Sequence, residues 1–135
     1  MGRRRTPFGR PLAAAELAGS SRFVRHWAED EAKTYLLGRG YRILAENYTV
    51  RGAELDLVAQ TGDTVVIVEV KQRRSVRFGT PAEAISAGKL ARLQAAALLY
   101  VSERFGRDDV PLRFDALLFL GDRGSHTLTH LEGIT

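Results

Sequence analysis

One short stretch of the chain, from Thr64 to Gln72, combines the pattern of a buried strand with two charged residues. It contains four valines and one isoleucine, and such a run of β-branched residues predicts a strand that is buried. Glu69 and Lys71 lie near its end, where charges are costly unless they are paired or bind a metal ion. The fold must therefore give this acid and this lysine a partner, which makes both of them candidates for a functional site.

The segment before this strand is expected to bring another carboxylate close to Glu69. Residues 53–60 have a strand pattern, and the turn at Thr61-Gly62-Asp63 is short enough to make the two strands an antiparallel pair. Asp56 then lies within a residue or two of Glu69 in any register. We therefore expect at least two carboxylates and the ammonium of Lys71 to meet on one patch.

Alternation of side chains predicts which residues of the earlier strand share a face. Glu54 and Asp56 are expected on one face, with Leu55 and Leu57 on the other. Exposed acids and lysines at this spacing are also common as a surface charge ladder of little energetic value. The spacing alone leaves both interpretations open, and the buried character of the neighbouring valines favours a site.

The chemistry of the patch suits a divalent cation and a phosphodiester. Mg²⁺ prefers oxygen ligands, commonly one or two carboxylates together with water and substrate phosphate, and a bound metal makes hydroxide available near neutral pH. Lys71 could orient the attacking water or stabilise the phosphorane. We expect the nearby carboxylates to raise the pKa of Lys71, which argues against a free base.

The whole chain is predicted to form one α/β domain, with a sheet flanked by helices. The predicted order of elements is α-β-β-β-α-β-β, in which the strands at residues 53–60 and 64–72 are the second and third. The other predicted elements are a helix from Ser20 or Ser21 to about Arg39, a strand over Tyr41–Thr49, a helix from Pro81 to about Phe105, and strands over Pro111–Leu120 and Ser125–Leu131. Residues 21–135 are the predicted domain. Residues 1–20 are predicted to be a mobile basic arm, which either holds a phosphate backbone or is a plain disordered terminus.

Composition excludes several other kinds of protein. A length of 135 residues suits one domain with a real core. The chain has no cysteine, which excludes disulfides and cysteine-ligated zinc and fits a reducing cytosol. No apolar run is long enough to span a bilayer, so we expect a cytoplasmic protein. The formal charge of +4 favours polyanions such as nucleic acid.

An ordered series of short motifs resembles one known family. Asp56 followed by Glu69-Val70-Lys71 resembles the PD-(D/E)XK signature of the restriction-endonuclease-like superfamily, without its proline. The wider series resembles the YraN family of small bacterial proteins over residues 22 to about 120. Its motifs here are Ala28-Glu29-Asp30 with Ala32, Leu36, residues 40–44, Asn47, residues 54–57, residues 68–71 with Arg73, Phe78-Gly79, Pro81, Lys89 and Arg113-Phe114-Asp115.

The resemblance implies a metal-dependent nuclease with a restriction-endonuclease-like core, similar to archaeal Holliday-junction resolvases. It makes Asp56 and Glu69 ligands of Mg²⁺ or Mn²⁺, Lys71 the catalytic lysine, and Glu29 the helix-borne acid that completes the site. Glu54 could be a further ligand or the partner of a basic residue. The implied substrate is DNA, branched or otherwise structured, in repair or recombination. A symmetric junction would suit a homodimer.

Basic residues beside the acids predict contacts with phosphate. Arg73, Arg74 and Arg77 follow the valine-rich strand directly, and Lys89 lies near the start of the second long helix. Such residues can hold a duplex without reading bases, and the alternative is that they are ordinary solvated charges. By contrast, Arg113 and Asp115 share one face of the fourth strand, and we interpret them as structural rather than catalytic, for example as an ion pair that braces the sheet.

Two further functions fit the same residues. The first is a nucleic-acid-binding accessory protein whose nuclease site is weak or inactive. The second is an interaction module in which the acids and Lys71 only hold the strands together. Only the nuclease predicts a product that depends on metal.

Overall fold

The structure, a computed structural model, describes residues 26–74, 87–107 and 109–134. Within these ranges the chain forms a five-stranded sheet and two helices, in the predicted order α-β-β-β-α-β-β. The elements are α1 Trp27–Gly38, β1 Arg42–Val50, β2 Ala53–Thr61, β3 Thr64–Arg73, α2 Ala87–Phe105, β4 Leu112–Asp122 and β5 Ser125–Leu131. Neither of these helices combines the length and the apolarity that crossing a membrane requires. The α/β fold class is confirmed.

Helix α1 begins later than the sequence pattern predicted. His26 is its N-cap, and the Nδ1 atom of His26 accepts a hydrogen bond from the N–H of Ala28 at 3.0 Å. Serine, threonine, aspartate and asparagine usually fill this position because their side chains accept such a bond, and here an imidazole does so. The predicted start at Ser20 or Ser21 is therefore wrong for this helix. Both serines, the basic arm 1–20, Arg77 and the start of α2 at Pro81 lie outside the described residues.

The sheet has the strand order β1-β2-β3-β4-β5. Neighbouring strands are antiparallel except for β3 and β4, which run parallel. Parallel neighbours need a long crossover, and α2 lies within the segment that joins β3 to β4. The crossover places α2 against one face of the sheet, while α1 packs against the other.

The central strand β3 is buried on both faces. Val66 and Val68 pack in a cluster with α1, whereas Val65 and Ile67 pack in a separate cluster with α2. This is the environment that a continuous run of β-branched residues indicates. Burial of β3 therefore follows from its sequence, and any charge at its end is placed at the boundary of a dry core.

Strand β2 changes face at Asp56, which the alternation rule did not predict. Leu55 packs in the cluster with α2 and Leu57 in the cluster with α1, so the two leucines do not share a face. On the neighbouring strand, Asn47 has a φ of 49°. Its neighbours in β1 pair with the residues on either side of Asp56. The expected shared face of Leu55 and Leu57 is therefore wrong, because the two strands are irregular at this point.

Candidate functional site

Strands β2 and β3 part at the two acids that the sequence singled out. Their pairing ends with Leu57 opposite Val68 and does not continue to the next positions, Asp56 and Glu69. Instead, Oδ2 of Asp56 accepts the backbone N–H of Val70 at 3.0 Å. A carboxylate thus satisfies a backbone donor at the point where the strands separate. This geometry holds Asp56 beside Glu69, as the short turn between the strands predicted.

Glu69 is a buried carboxylate that forms ion pairs with two lysines. Its exposed fraction is 3%. Nζ of Lys71 lies 3.4 Å from Oε2 of Glu69, and Nζ of Lys89 forms an ion pair with the same oxygen. Lys71 belongs to the same strand, whereas Lys89 reaches the acid from the first turn of α2. Because an unpaired buried charge is strongly destabilising, these two ammonium groups explain how Glu69 is tolerated.

Asp56 has a strongly raised pKa. Burial is the main cause, and the negative charge of Glu69 raises the pKa further, to about 7. The hydrogen bond from Val70 opposes this rise, while Glu29 adds a smaller increase. Desolvation and like charge both disfavour an ionised carboxyl. At neutral pH the Asp56 carboxyl is therefore partly protonated, and a cation beside it would favour the ionised form.

The pKa of Lys71 is lowered, contrary to the expectation from its acidic neighbours. Burial is the largest cause, and the ammonium of Lys89 lowers the pKa further, whereas Glu69 acts in the opposite direction. The expected increase is wrong because burial of Lys71, together with the ammonium of Lys89, outweighs the effect of Glu69 on the pKa. For Lys89 itself, burial opposes the charge, but bonding to Glu69 outweighs it and raises the pKa. Lys71 is thus the lysine that loses its proton more readily.

The other two predicted acids occupy different positions. Glu29 is partly buried in the first turn of α1 and is close enough to raise the pKa of Asp56. Glu54 is exposed and lies opposite Thr49 of β1. The structure therefore brings Asp56 and Glu69 together where the strands separate, places Glu29 within electrostatic range of Asp56, and leaves Glu54 at the surface.

The acids suit a divalent cation held by two carboxylates. Burial raises the pKa of Asp56, and repulsion from the carboxylate of Glu69 raises it further. A divalent cation between the two carboxylates would relieve that repulsion. Over residues 26–74, 87–107 and 109–134, no three histidine, cysteine or acidic side chains form a group that could hold a metal ion. The donor set thus fits Mg²⁺ or Mn²⁺, which commonly bind one or two carboxylates together with water, and not a closed protein cage.

The basic residues after β3 are only partly described. Arg73 is partly buried, and its Nη1 donates to the backbone oxygen of Gln72 at 2.9 Å. Arg74 is exposed. Both follow Lys71 by two or three residues, so they lie at the same end of the sheet as the acids. Contact with phosphate stays a prediction for these two arginines, for Arg77 and for Lys89.

A second polar cluster lies around Asp115, which is 1% exposed. Arg113 donates to both oxygens of this carboxylate, at 2.9 and 2.8 Å, and the backbone N–H of Gly133 donates at 3.1 Å. Nε2 of His130 lies 2.7 Å from Oδ2 of Asp115, and Nδ1 of His130 lies 2.9 Å from the hydroxyl of Tyr35. The predicted bracing ion pair is confirmed, and the cluster joins α1, β4 and β5.

No role was predicted for His130, although the alternation of residues along β5 was a signal for one. His126, Leu128 and His130 alternate along β5, and these three are more buried than the residues between them. This period of two places His130 on the same face as Leu128, which packs in the cluster with α1. A histidine on an inward face needs a polar partner, and Asp115 and Tyr35 supply it.

Comparison with known proteins gives one family. The family described as "Uncharacterised protein family UPF0102" matches residues 28–119. A UPF0102 protein of Thermus thermophilus is 46% identical over 105 residues, which are 78% of this chain and 90% of that protein. A UPF0102 protein of Symbiobacterium thermophilum is 46% identical over 97 residues, 72% of this chain and 81% of its own. One from Phocaeicola vulgatus is 36% identical over 104 residues, with coverages of 77% and 84%.

Proposed function

The chain belongs to the UPF0102 family, the YraN family that its motifs resemble, and from this premise we propose that it is a metal-dependent nuclease that hydrolyses phosphodiester bonds in DNA. One observation carries the proposal. Asp56, Glu69 and Lys71 meet where β2 and β3 part, at the edge of a core that would otherwise exclude charge. Two acids and a lysine in this setting are a costly arrangement for stability alone.

Asp56 and Glu69 are the proposed ligands of Mg²⁺ or Mn²⁺, and Glu29, which is close enough to raise the pKa of Asp56, is proposed as a further ligand on the basis of the family resemblance. When bound, the metal would neutralise charge on the phosphate and make hydroxide available near neutral pH. Glu54 is exposed and is proposed as a ligand only on the basis of the family resemblance. The protein's own contribution is to keep the Asp56 carboxyl oriented, through the bond from Val70 at 3.0 Å.

Lys71 is proposed as the catalytic lysine. Its backbone is fixed in β3, and its ammonium lies 3.4 Å from Oε2 of Glu69. A donor held in place beside a reacting phosphate stabilises the charge that develops in the transition state without reorganising. The lowered pKa of Lys71 makes its proton more available for transfer, so orientation of the attacking water and donation to the phosphoryl oxygens are both open to this side chain.

The proposed substrate is DNA recognised by its backbone and shape. Arg73 and Arg74, at the end of β3, supply the charge for phosphate contacts, which set position without reading sequence. Branched or otherwise structured DNA is the proposed preference, with a role in repair or recombination in the cytoplasm. A symmetric junction would engage a homodimer, whose two sites face the two strands to be cut.

A cleavage assay tests the proposal. Labelled four-way junction, flap, single strand and linear duplex are incubated with Mg²⁺, Mn²⁺ or EDTA and with wild type, Glu69→Gln or Lys71→Met. Arg107→Met is the matched control, because it also removes a cation but does so in an exposed ion pair with Asp109. We expect metal-dependent cutting by wild type and by the control, and loss of cutting in both site variants. Intact DNA binding without any cutting by wild type would reject the nuclease.

A second candidate function is a DNA-binding accessory protein with a weak or inactive site. One observation favours it: both lysines sit on the same oxygen of Glu69, which is where a metal would bind. This function predicts salt-dependent DNA binding with equal affinity in Mn²⁺ and EDTA and no product under either condition. The same assay therefore separates the two functions.

A further inference from the structure

The ion pair between Lys89 and Glu69 links helix α2 to the catalytic end of β3. Oε2 of Glu69 contacts both Lys89 and Lys71. The two lysines differ in how firmly they are placed. Lys71 lies within β3 with a side chain that is 21% exposed, and Lys89 lies in the first turn of α2 with a side chain that is 30% exposed. Lys89 therefore belongs to a helix outside the sheet and is the more exposed of the two lysines on Glu69.

A divalent cation and the ammonium of Lys89 would compete for the same carboxylate. Without metal, Oε2 of Glu69 already faces the ammonium groups of both Lys71 and Lys89. Addition of a divalent cation leaves an excess of positive charge, which opposes binding in a poorly solvated site. Departure of Lys89 from Glu69 would restore an oxygen ligand and would remove one of the repelling charges.

A DNA phosphate supplies Lys89 with another anion. Lysine carries its charge on a flexible four-carbon stem and is a common partner for phosphate as a point charge. The scissile phosphate must lie beside Glu69 if the nuclease function proposed above is correct, and it then lies within reach of a lysine that already touches this acid. The phosphate would therefore draw Lys89 away from the carboxylate that the metal needs.

Resting on that nuclease function, we propose that Lys89 occupies Glu69 until a DNA phosphate displaces it, so that DNA and the divalent metal bind with positive coupling. Lys89 is thereby a positioning residue that lowers the affinity of the site for metal until the DNA substrate binds. Coupling is reciprocal, since DNA must raise the affinity for metal by the same factor as metal raises the affinity for DNA. Couplings of this kind are commonly 5- to 150-fold, and we expect about tenfold here.

Binding of Mn²⁺, followed by electron paramagnetic resonance, tests the proposal without relying on activity. Wild type, Lys89→Met and Lys89→Gln are titrated with Mn²⁺, alone and with the four-way junction, and a denaturing gel confirms that the junction stays intact. Glu69→Gln with the same junction gives the Mn²⁺ bound by DNA itself. We expect both Lys89 variants to bind Mn²⁺ about tenfold more tightly than wild type without DNA. Addition of the junction should tighten binding in wild type and change it little in the variants.

Two controls make the result specific. Arg107→Met removes a cation two residues beyond the other end of α2 and should bind Mn²⁺ as wild type does. Lys89→Arg retains a cation and should retain weak binding in the absence of DNA. Equal Mn²⁺ affinity of wild type and both Lys89 variants, alongside metal-dependent cutting by wild type, would overturn this inference and leave the nuclease intact. Absence of Mn²⁺ binding in all of them, with or without DNA, would overturn both.

Discussion

The carboxylate of Asp56 takes the place of a strand partner for the N–H of Val70, at a distance of 3.0 Å. One side chain therefore has two tasks: it ends the pairing of β2 with β3, and it holds an acid beside Glu69. The first task needs only an oxygen acceptor, whereas the second needs a charge. This separation allows the structural and functional contributions of Asp56 to be tested with the conservative change to asparagine.

Asp56→Asn is expected to stabilise the protein at high pH in the absence of metal. The folded-state pKa of about 7 lies above the ordinary 3.8, so the folded state binds more protons than the unfolded state between these values. The free energy of unfolding of wild type should therefore fall as pH rises from about 4 to 7. A pKa difference of about three units limits this fall in the free energy of unfolding to about 4 kcal/mol. Asparagine does not titrate in this range, and it keeps an oxygen for Val70.

The measurement is urea unfolding of wild type and Asp56→Asn in EDTA at pH 4.5, 6 and 8. Between the lowest and the highest pH, we expect the free energy of unfolding of the variant to rise by about 2 kcal/mol relative to that of wild type. This value lies below the limit that the pKa difference sets. The variant should also lose cleavage, since it lacks the charge for metal. A difference in unfolding free energy that stays constant with pH would show that Asp56 does not titrate in this window.

Mn²⁺ is expected to raise the melting temperature of wild type but not that of Glu69→Gln. A ligand that binds only the folded state adds about 2.7 kcal/mol of stability at a concentration 100 times its Kd. Glutamine removes the charge of Glu69 with little change in volume, and it leaves the ammonium groups of Lys71 and Lys89 without their carboxylate. Differential scanning calorimetry with Mn²⁺ or EDTA measures both proteins. Identical melting of wild type in the two conditions, with a lower melting temperature for Glu69→Gln, would favour the interaction module.

Much of this arrangement could be predicted from sequence because the relevant signals are local. The β-branched run of β3 indicated burial, and the short turn at Gly62 indicated that Asp56 lies close to Glu69. The face change between Leu55 and Leu57 could not be predicted, since alternation assumes a regular strand. The pairing of Lys89 with Glu69 was equally hidden, because the two residues are twenty positions apart and only the packing of α2 brings them together.

Lys71→Met and Lys89→Met are expected to separate catalysis from positioning. Each change removes one of the two ammonium groups on Oε2 of Glu69 and leaves the other in place. Loss of a preorganised donor in a reacting site commonly lowers kcat about 100- to 1,000-fold, and we expect this for Lys71→Met at saturating Mn²⁺. Lys89→Met should retain kcat within about tenfold, since its role lies in binding. Single-turnover cleavage of the junction measures both, and equal losses would contradict the division of roles.

Asp115→Ala is expected to destabilise the fold strongly without acting directly on the proposed site at Asp56 and Glu69. Asp115 accepts two hydrogen bonds from Arg113, contacts His130 at 2.7 Å and ties Gly133 to β4. Truncation leaves the guanidinium of Arg113, whose side chain is 27% exposed, without its main anion. Removing one partner of a buried ion pair costs about 3–5 kcal/mol, and the partial exposure of Arg113 places the expected loss near about 3 kcal/mol. Urea unfolding at pH 7 measures it.

The matched control for Asp115→Ala is Asp109→Ala. Arg107 and Asp109 have the same two-residue spacing as Arg113 and Asp115, but their side chains are 62% and 68% exposed. An exposed ion pair contributes little to stability, because water screens the charges and competes for the hydrogen bonds. The two variants thus differ in burial far more than in chemistry. Equal losses of unfolding free energy in both would mean that the network around Asp115, including His130 and Tyr35, does not brace the sheet.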